Sequence, residues 1–354
     1  MATRRRRRAW LAAAVAVAAS VATAASVRAS GAPAPGLPRL GTSVAVEVDD
    51  PDLNDMGDPV VVAVPAGVGG LTAPGYAVAW TTDWSANVPV AVSTDLRHWR
   101  RVPDALPRLP RWAAVVAPPG RWHEPPGVST MTWGPTIRQV GGSWVLWFAT
   151  ESAATHTECI GVATAPGPLG PYASTAAAPL VCQPALGGDI DPSVITVPGG
   201  GLALVWKNDG NAVGAPVGIW EQRLTRGGTA VAGAPVRLLG ADAAWEHGIV
   251  EGPAMLAASH GGYWLFFSGG TWQSNTYDTG VAWCATVAGP CRDVSPRPLL
   301  ASTPTAVSPG GLDTFVDHAG RLRAAYSAFP SAPADARAAM ASPRVLELAP
   351  VLSR

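Results

Sequence analysis

Lysine is almost absent from this sequence, since Lys207 is the only one among 25 basic residues. Charged residues of both signs are scarce, at 14% of 354, and the formal net charge is zero. Residues 1–29 hold six arginines and no acid, which leaves 19 basic and 25 acidic residues beyond them, a net charge of −6. That balance gives the chain no electrostatic attraction to nucleic acid or anionic lipid, and we exclude nucleic acid as a partner.

Sustained helical periodicity is also absent. Glycine (39) and proline (35) are abundant instead, together about 21% of the chain, and they follow no collagen period. This composition argues against a helical bundle or a coiled coil. It favours many short strands joined by turns.

The one long hydrophobic run lies at the N-terminus, where Arg4–Arg8 precede the Ala- and Val-rich stretch Ala9–Ala25 and then small residues. This layout predicts a signal peptide over residues 1–29, exported by Sec or Tat, and a flexible lead-in over residues 30–45. The alternative is an uncleaved anchor, although about 17 mildly hydrophobic residues are short for a span of ~20. We expect a secreted, extracellular protein with no membrane association after cleavage.

Four cysteines follow the leader, at Cys159, Cys182, Cys284 and Cys291. An even number in an oxidising compartment predicts two disulfides, and three pairings are open. The pairing that closes the shortest loops joins Cys159 to Cys182 and Cys284 to Cys291. No C-x-x-C pair or histidine cluster accompanies them, so we expect no zinc site.

An internal repeat of about 60 residues sets the predicted architecture. Five apolar strand candidates recur at this spacing: Tyr76–Trp80, Trp144–Phe148, Leu202–Trp206, Tyr263–Phe267 and Leu322–Tyr326. A shorter element precedes each one, and a third strand candidate follows the first four. A repeat of three or four short strands is typical of a β-propeller blade. We therefore predict an all-β fold, a single five-bladed β-propeller over residues 46–354.

The elements that precede the repeated strands share an x-Pro pattern: Gly57-Asp58-Pro59, Trp133-Gly134-Pro135, Ile190-Asp191-Pro192 and Glu251-Gly252-Pro253, with Gly311-Leu312-Asp313 a looser fifth copy. The first strands of all blades line the central channel of a propeller, so equivalent side chains converge. We expect proline to hold the residue before it extended, which would fix the carboxylates at the strand entrance.

These motifs resemble the three signatures of glycoside hydrolase family 43. Members of that family are five-bladed propeller enzymes that hydrolyse arabinose- and xylose-containing polysaccharides. The resemblance spans roughly residues 50–330. Supporting stretches are Gly161-Val162-Ala163-Thr164, Gly170-Pro171-Tyr172, Gly280-Val281-Ala282 and Trp206-Lys207-Asn208-Asp209-Gly210. Each motif alone is weak, but together they lie in register with the repeat.

The resemblance implies three catalytic roles. Asp58 would be the general base, Glu251 the general acid, and Asp191 the carboxylate that orients the acid and modulates its pKa. Inversion requires the base and the acid to stand ~6.5–9.5 Å apart, with room for a water molecule. Alternatively, Asp58 and Asp191 could each have a structural role as the first residue of a turn. The rival acid is Glu246.

Other residues bear on substrate and cofactors. Sugar rings stack on aromatic planes, so Trp133, Trp80 and Trp84 are candidate sugar contacts. Lys207 could contact a sugar hydroxyl or lie on an exposed loop. The resemblance implies no organic cofactor, and Gly311 stands where many relatives have a histidine that contacts a channel ion, which puts a metal in doubt.

The sequence thus predicts a secreted inverting glycoside hydrolase that cleaves α-L-arabinofuranosyl or β-D-xylosyl linkages of plant cell-wall polysaccharides or oligosaccharides. One alternative is a non-catalytic carbohydrate-binding propeller. A fructan-type glycosidase is the other, disfavoured because its Trp-x-Asn-Asp-Pro-Asn and Arg-Asp-Pro motifs are missing. The oligomeric state stays open.

Overall fold

Five antiparallel sheets surround a central axis in the computed structural model, which describes residues 36–46, 55–82, 86–114, 132–341 and 344–353. This arrangement is a five-bladed β-propeller, as the sequence predicts. The signal peptide predicted for residues 1–29 lies outside the described residues. All described elements belong to one compact unit, residues 34–354.

The inner strand of each blade begins at an x-Pro motif or its looser copy. These strands are β3 (Val60–Val64), β7 (Thr132–Val140), β10 (Asp189–Val197), β14 (Val250–Ala257) and β18 (Val307–Val316). The convergence of these five segments on the axis confirms the blade assignment.

The second strands coincide with the five apolar repeats. They are β4 (Gly75–Ala79), β8 (Ser143–Glu151), β11 (Gly201–Asn208), β15 (Tyr263–Gly269) and β19 (Leu322–Phe329). They are almost wholly buried because each lies between neighbours within its sheet and between adjacent blades. Such positions require continuous apolar runs rather than an alternating pattern.

The third strands of the first four blades are β5 (Val90–Ser93), β9 (Glu158–Ala165), β12 (Gly218–Leu224) and β16 (Asp278–Cys284). Outer strands complete blades one, three and four: β6 (Arg100–Val102), β13 (Val231–Gly240) and β17 (Cys291–Asp293). Blade two has three strands in the described part of the chain.

Both ends of the chain build blade five. Its third strand is the C-terminal β20 (Val345–Ser353), and two N-terminal strands, β1 (Arg39–Leu40) and β2 (Val44–Ala45), pair antiparallel with β20. The flexible lead-in predicted for residues 30–45 is therefore wrong over its second half. A strand that closes a ring pairs with a distant partner, which local composition does not reveal.

Five hydrophobic clusters fill the five spaces between adjacent blades. The cluster between blades one and two is typical, with Val60, Val90, Leu146 and Phe148 all buried. Because a cluster lies on each side of every blade, the sheets pack face to face around the ring, and this packing fixes where each inner strand points.

Helical structure is sparse. The one α-helix among the described residues, α1, spans Ala336–Ala341, and four single-turn 3₁₀ segments cover 68–70, 184–186, 210–213 and 244–246. Within the described residues, no helix has the length and apolar character needed to cross a bilayer.

Both predicted disulfides are present. Cys159 is bonded to Cys182, and Cys284 to Cys291. The second bond joins β16 to β17 at a position where the two cysteines face each other in the strand register.

Candidate active site

The axis of the propeller is lined by three successive residues from each inner strand, around a cavity of about 40 Å³. One residue per blade occupies an equivalent place and has a positive φ: Asp58 (52°), Gly134 (51°), Asp191 (56°), Gly252 (55°) and Gly311 (63°). The expectation that Asp58 and Asp191 are extended before their prolines is therefore wrong.

The reason is a bulge. In blades two to five the register between first and second strands shifts at this motif, for example between Ile190 and Ser193. A bulge residue with positive φ re-aims the chain and its side chain. Glycine, asparagine and aspartate tolerate that conformation best, which explains why only Asp and Gly occupy the five places.

Two of these glycines leave room for carboxylates. An ideal Cβ on Gly311 would lie 2.6 Å from Asp58 Oδ1, and one on Gly134 would lie 2.9 Å from Asp191 Cα. Gly311 thus stands beside the predicted base, and it offers no side chain to an ion. Within the described residues, no group of three or more His, Cys, Asp or Glu could hold a metal ion.

A larger pocket of about 280 Å³ opens at one end of this ring. Asp58, Asp191 and Glu251, from blades one, three and four, all line it. The structure therefore brings together the three acids that the sequence singled out across almost 200 residues.

Asp58 accepts a hydrogen bond from the Thr81 hydroxyl, 2.6 Å from Oγ1 to Oδ2. Thr81 Oγ1 in turn accepts from the Gly134 N–H at 3.1 Å, which links blade one to blade two. Burial raises the pKa of Asp58, and the positive charge of Arg344 and the Thr81 hydrogen bond oppose that rise only in part.

Asp191 is held by the backbone of the next blade. Its Oδ2 accepts from the N–H of Gly252 at 2.8 Å, the peptide directly after Glu251. Burial, followed by the negative charges of Glu251 and Asp58, raises the pKa of Asp191 well above its ordinary value. The Asp191 carboxylate thus fixes the backbone at the residue that follows Glu251.

Lys207 forms the closest charged contact of Glu251, with Nζ 2.9 Å from Oε2 and 3.1 Å from Asp209 Oδ1. Lys207 is 1% exposed, so the alternative of a lysine on an exposed loop is wrong. Burial by itself lowers the pKa of a lysine, but the charges of Glu251, Asp209 and Asp191 outweigh it and raise the pKa of Lys207.

Several pocket residues escaped the sequence analysis. Arg344, just before β20, donates to the Asp55 carboxylate from Nε at 2.6 Å and Nη2 at 3.1 Å. Its guanidinium also lies over the Trp272 ring, 4.7 Å from the centroid. Only the closure of the ring by the C-terminal segment brings Arg344 here, so no local motif could reveal it.

Tyr277 and Asp209 also line the pocket. Burial and then the charges of the three acids raise the pKa of the Tyr277 phenol well above its usual value. From the sequence, Asp209 was identified only as part of the stretch Trp206–Gly210. A useful signal for it was its spacing of two from the sole lysine, because residues two apart point to the same side where a strand ends.

The aromatic candidates separate clearly. Trp133 lies in the pocket wall and is half-buried. Trp80 is completely buried in the cluster between blades five and one, so its prediction as a sugar contact is wrong. Its ring packs between the two blades, whereas the next residue, Thr81, lines the pocket. Trp84 lies outside the described residues.

The rival acid Glu246 lies elsewhere. It is fully buried, and its Oε2 accepts from the N–H groups of Asp242 at 2.6 Å and Ala243 at 2.8 Å. Burial raises the pKa of Glu246 to about 6. Its hydrogen bonds stabilise the turn that leads into β14, and it is not among the residues that line the 280 Å³ pocket.

Comparisons with known proteins agree with this architecture. The model of glycosyl hydrolases family 43 matches residues 72–343. A solved thermostable family-43 glycoside hydrolase is 19% identical, with a TM-score of 0.67 and coverage of 84% of this chain and 89% of that one. No curated protein sequence matches.

Two further solved structures share the fold. An endo-1,4-beta-xylanase from Bacteroides thetaiotaomicron is 23% identical, with a TM-score of 0.63 and coverage of 83% of this chain and 89% of that one. An alpha-L-arabinofuranosidase from Lactobacillus brevis is 17% identical, with a TM-score of 0.62 and coverage of 85% and 92%. Because the family model spans more than three quarters of the sequence, this chain belongs to glycosyl hydrolases family 43 and is a glycoside hydrolase.

Proposed function

We propose that this glycoside hydrolase is secreted and inverting, and that it cleaves α-L-arabinofuranosyl or β-D-xylosyl linkages of plant cell-wall polysaccharides or oligosaccharides. The observation that carries the proposal is the meeting of Asp58, Asp191 and Glu251 in one pocket. Solved relatives named as a xylanase and an arabinofuranosidase support the choice of pentose substrates.

Asp58 is the proposed general base. It must be ionised to accept a proton from the attacking water, and Arg344 favours the ionised form. The Thr81 hydroxyl fixes one carboxylate oxygen at 2.6 Å, which leaves the other for the water. As the water oxygen attacks the anomeric carbon, its proton passes to Asp58.

Glu251 is the proposed general acid. When the bond between the anomeric carbon and the glycosidic oxygen breaks, the electron pair goes to that oxygen, which takes the proton of Glu251. Asp191 orients the acid through the N–H of Gly252, and its proximity disfavours a second negative charge. After one turnover Asp58 holds a proton and Glu251 lacks one, and exchange with solvent restores both.

The pocket suits a small sugar. Its volume of about 280 Å³ lies just below the usual range of ligand pockets, which is about 300 to 1,000 Å³. Trp133 and Trp272 line it and offer planes on which the apolar C–H face of a sugar ring can stack. We propose them as sugar contacts.

Export rests on two features. The sequence of residues 1–29 has the layout of a signal peptide. Two disulfides agree with an oxidising compartment, where such bonds persist.

The test is hydrolysis of a panel of 4-nitrophenyl glycosides, with sucrose and a fructan added for the competing specificity. Proton NMR during the first minutes identifies the anomer that is released first. We expect cleavage of the α-L-arabinofuranoside or β-D-xyloside, with the product first appearing as the inverted anomer. A retained anomer, or cleavage confined to fructosides, contradicts the proposal.

A further inference from the structure

The proposed general acid, Glu251, is in direct contact with a buried lysine, although a nearby positive charge opposes the function of an acid. An acid must hold its proton until the glycosidic oxygen departs, whereas a cation at hydrogen-bond distance favours the ionised carboxylate. Here Lys207 Nζ lies 2.9 Å from Glu251 Oε2, and the lysine side chain is 1% exposed. This contact therefore needs a function of its own.

Asp209 shares the same ammonium group. Its Oδ1 lies 3.1 Å from Lys207 Nζ, and its side chain is 12% exposed. One positive charge is thus divided between two carboxylates, only one of which is proposed to react. The larger the share that Asp209 takes, the less the lysine favours loss of the proton from Glu251.

The end of β11 holds both groups rigidly. Asn208, which lies between them, donates from Nδ2 to the carbonyls of Leu186 at 3.1 Å and Pro216 at 3.0 Å. Its Oδ1 accepts from Trp220 Nε1 at 2.9 Å. The N–H of Asp209 donates to the Gly188 carbonyl at 2.8 Å. These bonds fix the backbone on either side of the lysine, so its position does not depend on a bound sugar.

Other charged and titratable groups also face Glu251. They are Asp58 just before β3, Asp191 in β10 and Tyr277 just before β16. Arg344 acts further away, on Asp58 and Tyr277. Among the described residues, Lys207 is the cation that contacts Glu251. Removal of its charge should therefore change the pH at which Glu251 loses its proton more than removal of any other charge.

We propose that Lys207 and Asp209 are a positioning pair for Glu251, in which Lys207 binds Oε2 so that the reactive proton resides on Oε1, and Asp209 offsets enough of the lysine's charge for that proton to be kept. This inference rests on the proposed role of Glu251 as the acid. It assigns a function to the only lysine of the chain. It also explains why an aspartate follows two residues later.

The proton balance is simple. In the resting enzyme Oε1 holds the proton and Oε2 accepts from Lys207. When the glycosidic oxygen takes the proton, the new negative charge of Glu251 forms beside the ammonium group, which stabilises it. Solvent returns the proton to Oε1, and Lys207 keeps its own because the negative charge of Asp209 stays 3.1 Å from its ammonium group in both states.

The experiment compares the pH dependence of kcat/KM for the wild type, Lys207→Met and Asp209→Asn. Removal of the lysine charge should move the alkaline limb to higher pH by about 1–3 units. Removal of the Asp209 charge leaves the lysine uncompensated and should move that limb to lower pH. Shifts of opposite sign are a result that mere loss of packing would not give.

Asp317→Asn is the matched control, because Asp317 is a buried aspartate paired with Arg321 and Arg323 in blade five. It should lower thermal stability without moving the alkaline limb. If Lys207→Met fails to fold, the downward shift in Asp209→Asn still decides the matter. An unmoved limb in Asp209→Asn overturns the inference, as does an upward one.

A second readout separates this inference from the proposed function. Carboxyl carbons labelled with ¹³C in glutamate report the titration of Glu251 by NMR, identified by the signal lost in Glu251→Gln. Opposite shifts of that titration support the pair even in a protein without activity on pentosides. An active enzyme whose Glu251 titration ignores both substitutions overturns the pair and leaves the proposed function intact.

Discussion

Single residues set the charge of the pocket. Five carboxylates and two cations line it among the described residues: Asp55, Asp58, Asp191, Asp209, Glu251, Lys207 and Arg344. Full ionisation would leave a net charge of −3 in a partly buried space, which is costly. A bound proton relieves that cost. Burial and then the charges of Glu251 and Asp58 raise the pKa of Asp191 well above its usual value, so Asp191 and Glu251 disfavour each other's ionisation.

Asp191 should therefore cost stability at neutral pH. A carboxyl whose pKa is raised by folding binds its proton more tightly in the folded state. Its contribution to stability is present below about pH 4 and is lost as the pH rises toward the folded pKa. Asp191→Asn should abolish activity and raise Tm relative to wild type by on the order of a few degrees at pH 8, and by less at pH 5.

Calorimetry at the two pH values measures this difference. Asn can still accept from the Gly252 N–H, so the hydrogen bond survives the change. A Tm difference that is equal at both pH values, or larger at pH 5, would contradict the raised pKa of Asp191.

Arg344 should control the acid limb of the activity profile. The guanidinium lowers the pKa of Asp58, although burial keeps that pKa above its ordinary value. Arg344→Met removes this charge, so Asp58 should stay protonated to higher pH and the acid limb of kcat/KM should rise by about 1 unit or more. Arg323→Met, in an ion pair with Asp317, is the control and should leave the limb in place. A limb that stays or falls in Arg344→Met would rule out this coupling.

At the level of elements, the residue with positive φ at the start of each inner strand builds the site. This conformation aims Asp58 and Asp191 into the pocket, and the residues that face them on the neighbouring blades, Gly311 and Gly134, have no side chain. Gly311 has a φ of 63°, and any Cβ there would meet Asp58 Oδ1 at 2.6 Å. The neighbouring blade thus presses against the base.

Gly311→Ala should reduce kcat/KM by at least ~100-fold, because a displacement of the base by about 1 Å is enough for such a loss. Gly141→Ala is the matched control. Gly141 has nearly the same φ, 62°, but has nothing within 4 Å of its ideal Cβ. Both variants carry the backbone strain of ~1–2 kcal/mol, and only Gly311→Ala carries the clash. Equal activity in the two variants would show that the contact with Asp58 is unimportant.

The N-terminal strands should matter for the ring as a whole. β1 and β2 cover the free edge of β20, and Val46 is buried between blades five and one. A protein that starts at residue 47 should have a Tm several degrees below one that starts at residue 36, and faster proteolysis of the exposed edge of β20. The same Tm for both would mean that β1 and β2 do not close the ring.

At the scale of the whole molecule, the strands that repeat from blade to blade could be predicted from the sequence. The terminal segments that close the ring could not. The 60-residue period located the inner, second and third strands because each blade buries the same apolar pattern. It also located Asp58, Asp191 and Glu251, since equivalent places in a ring converge. The side chains outside that pattern were lost: Asp55, Thr81, Trp272, Tyr277 and Arg344 reach the pocket from strand ends and loops.

Two errors have a common physical origin. Trp80 directly follows β4, and the sequence of that strand does not show whether the residue after it faces the core or the solvent. The positive φ of Asp191 arises from strand register, which is a property of two strands rather than of the dipeptide. Neither is a local property of the sequence, so neither could be predicted from it.

The roles of Glu251 and Asp58 are distinguished by how the activity of each variant depends on the leaving group. Glu251→Gln should lose about 100- to 10,000-fold in kcat/KM on an alkyl pentoside, whose oxygen needs a proton, and far less on a 2,4-dinitrophenyl pentoside, which needs none. Asp58→Asn should lose activity on both substrates, because the water needs a base in either case. Glu246→Gln should resemble wild type on both. The assignment of Glu251 as the acid would be wrong if kcat/KM of Glu251→Gln fell equally on the two substrates. It would also be wrong if Glu246→Gln, rather than Glu251→Gln, lost activity only on the alkyl pentoside.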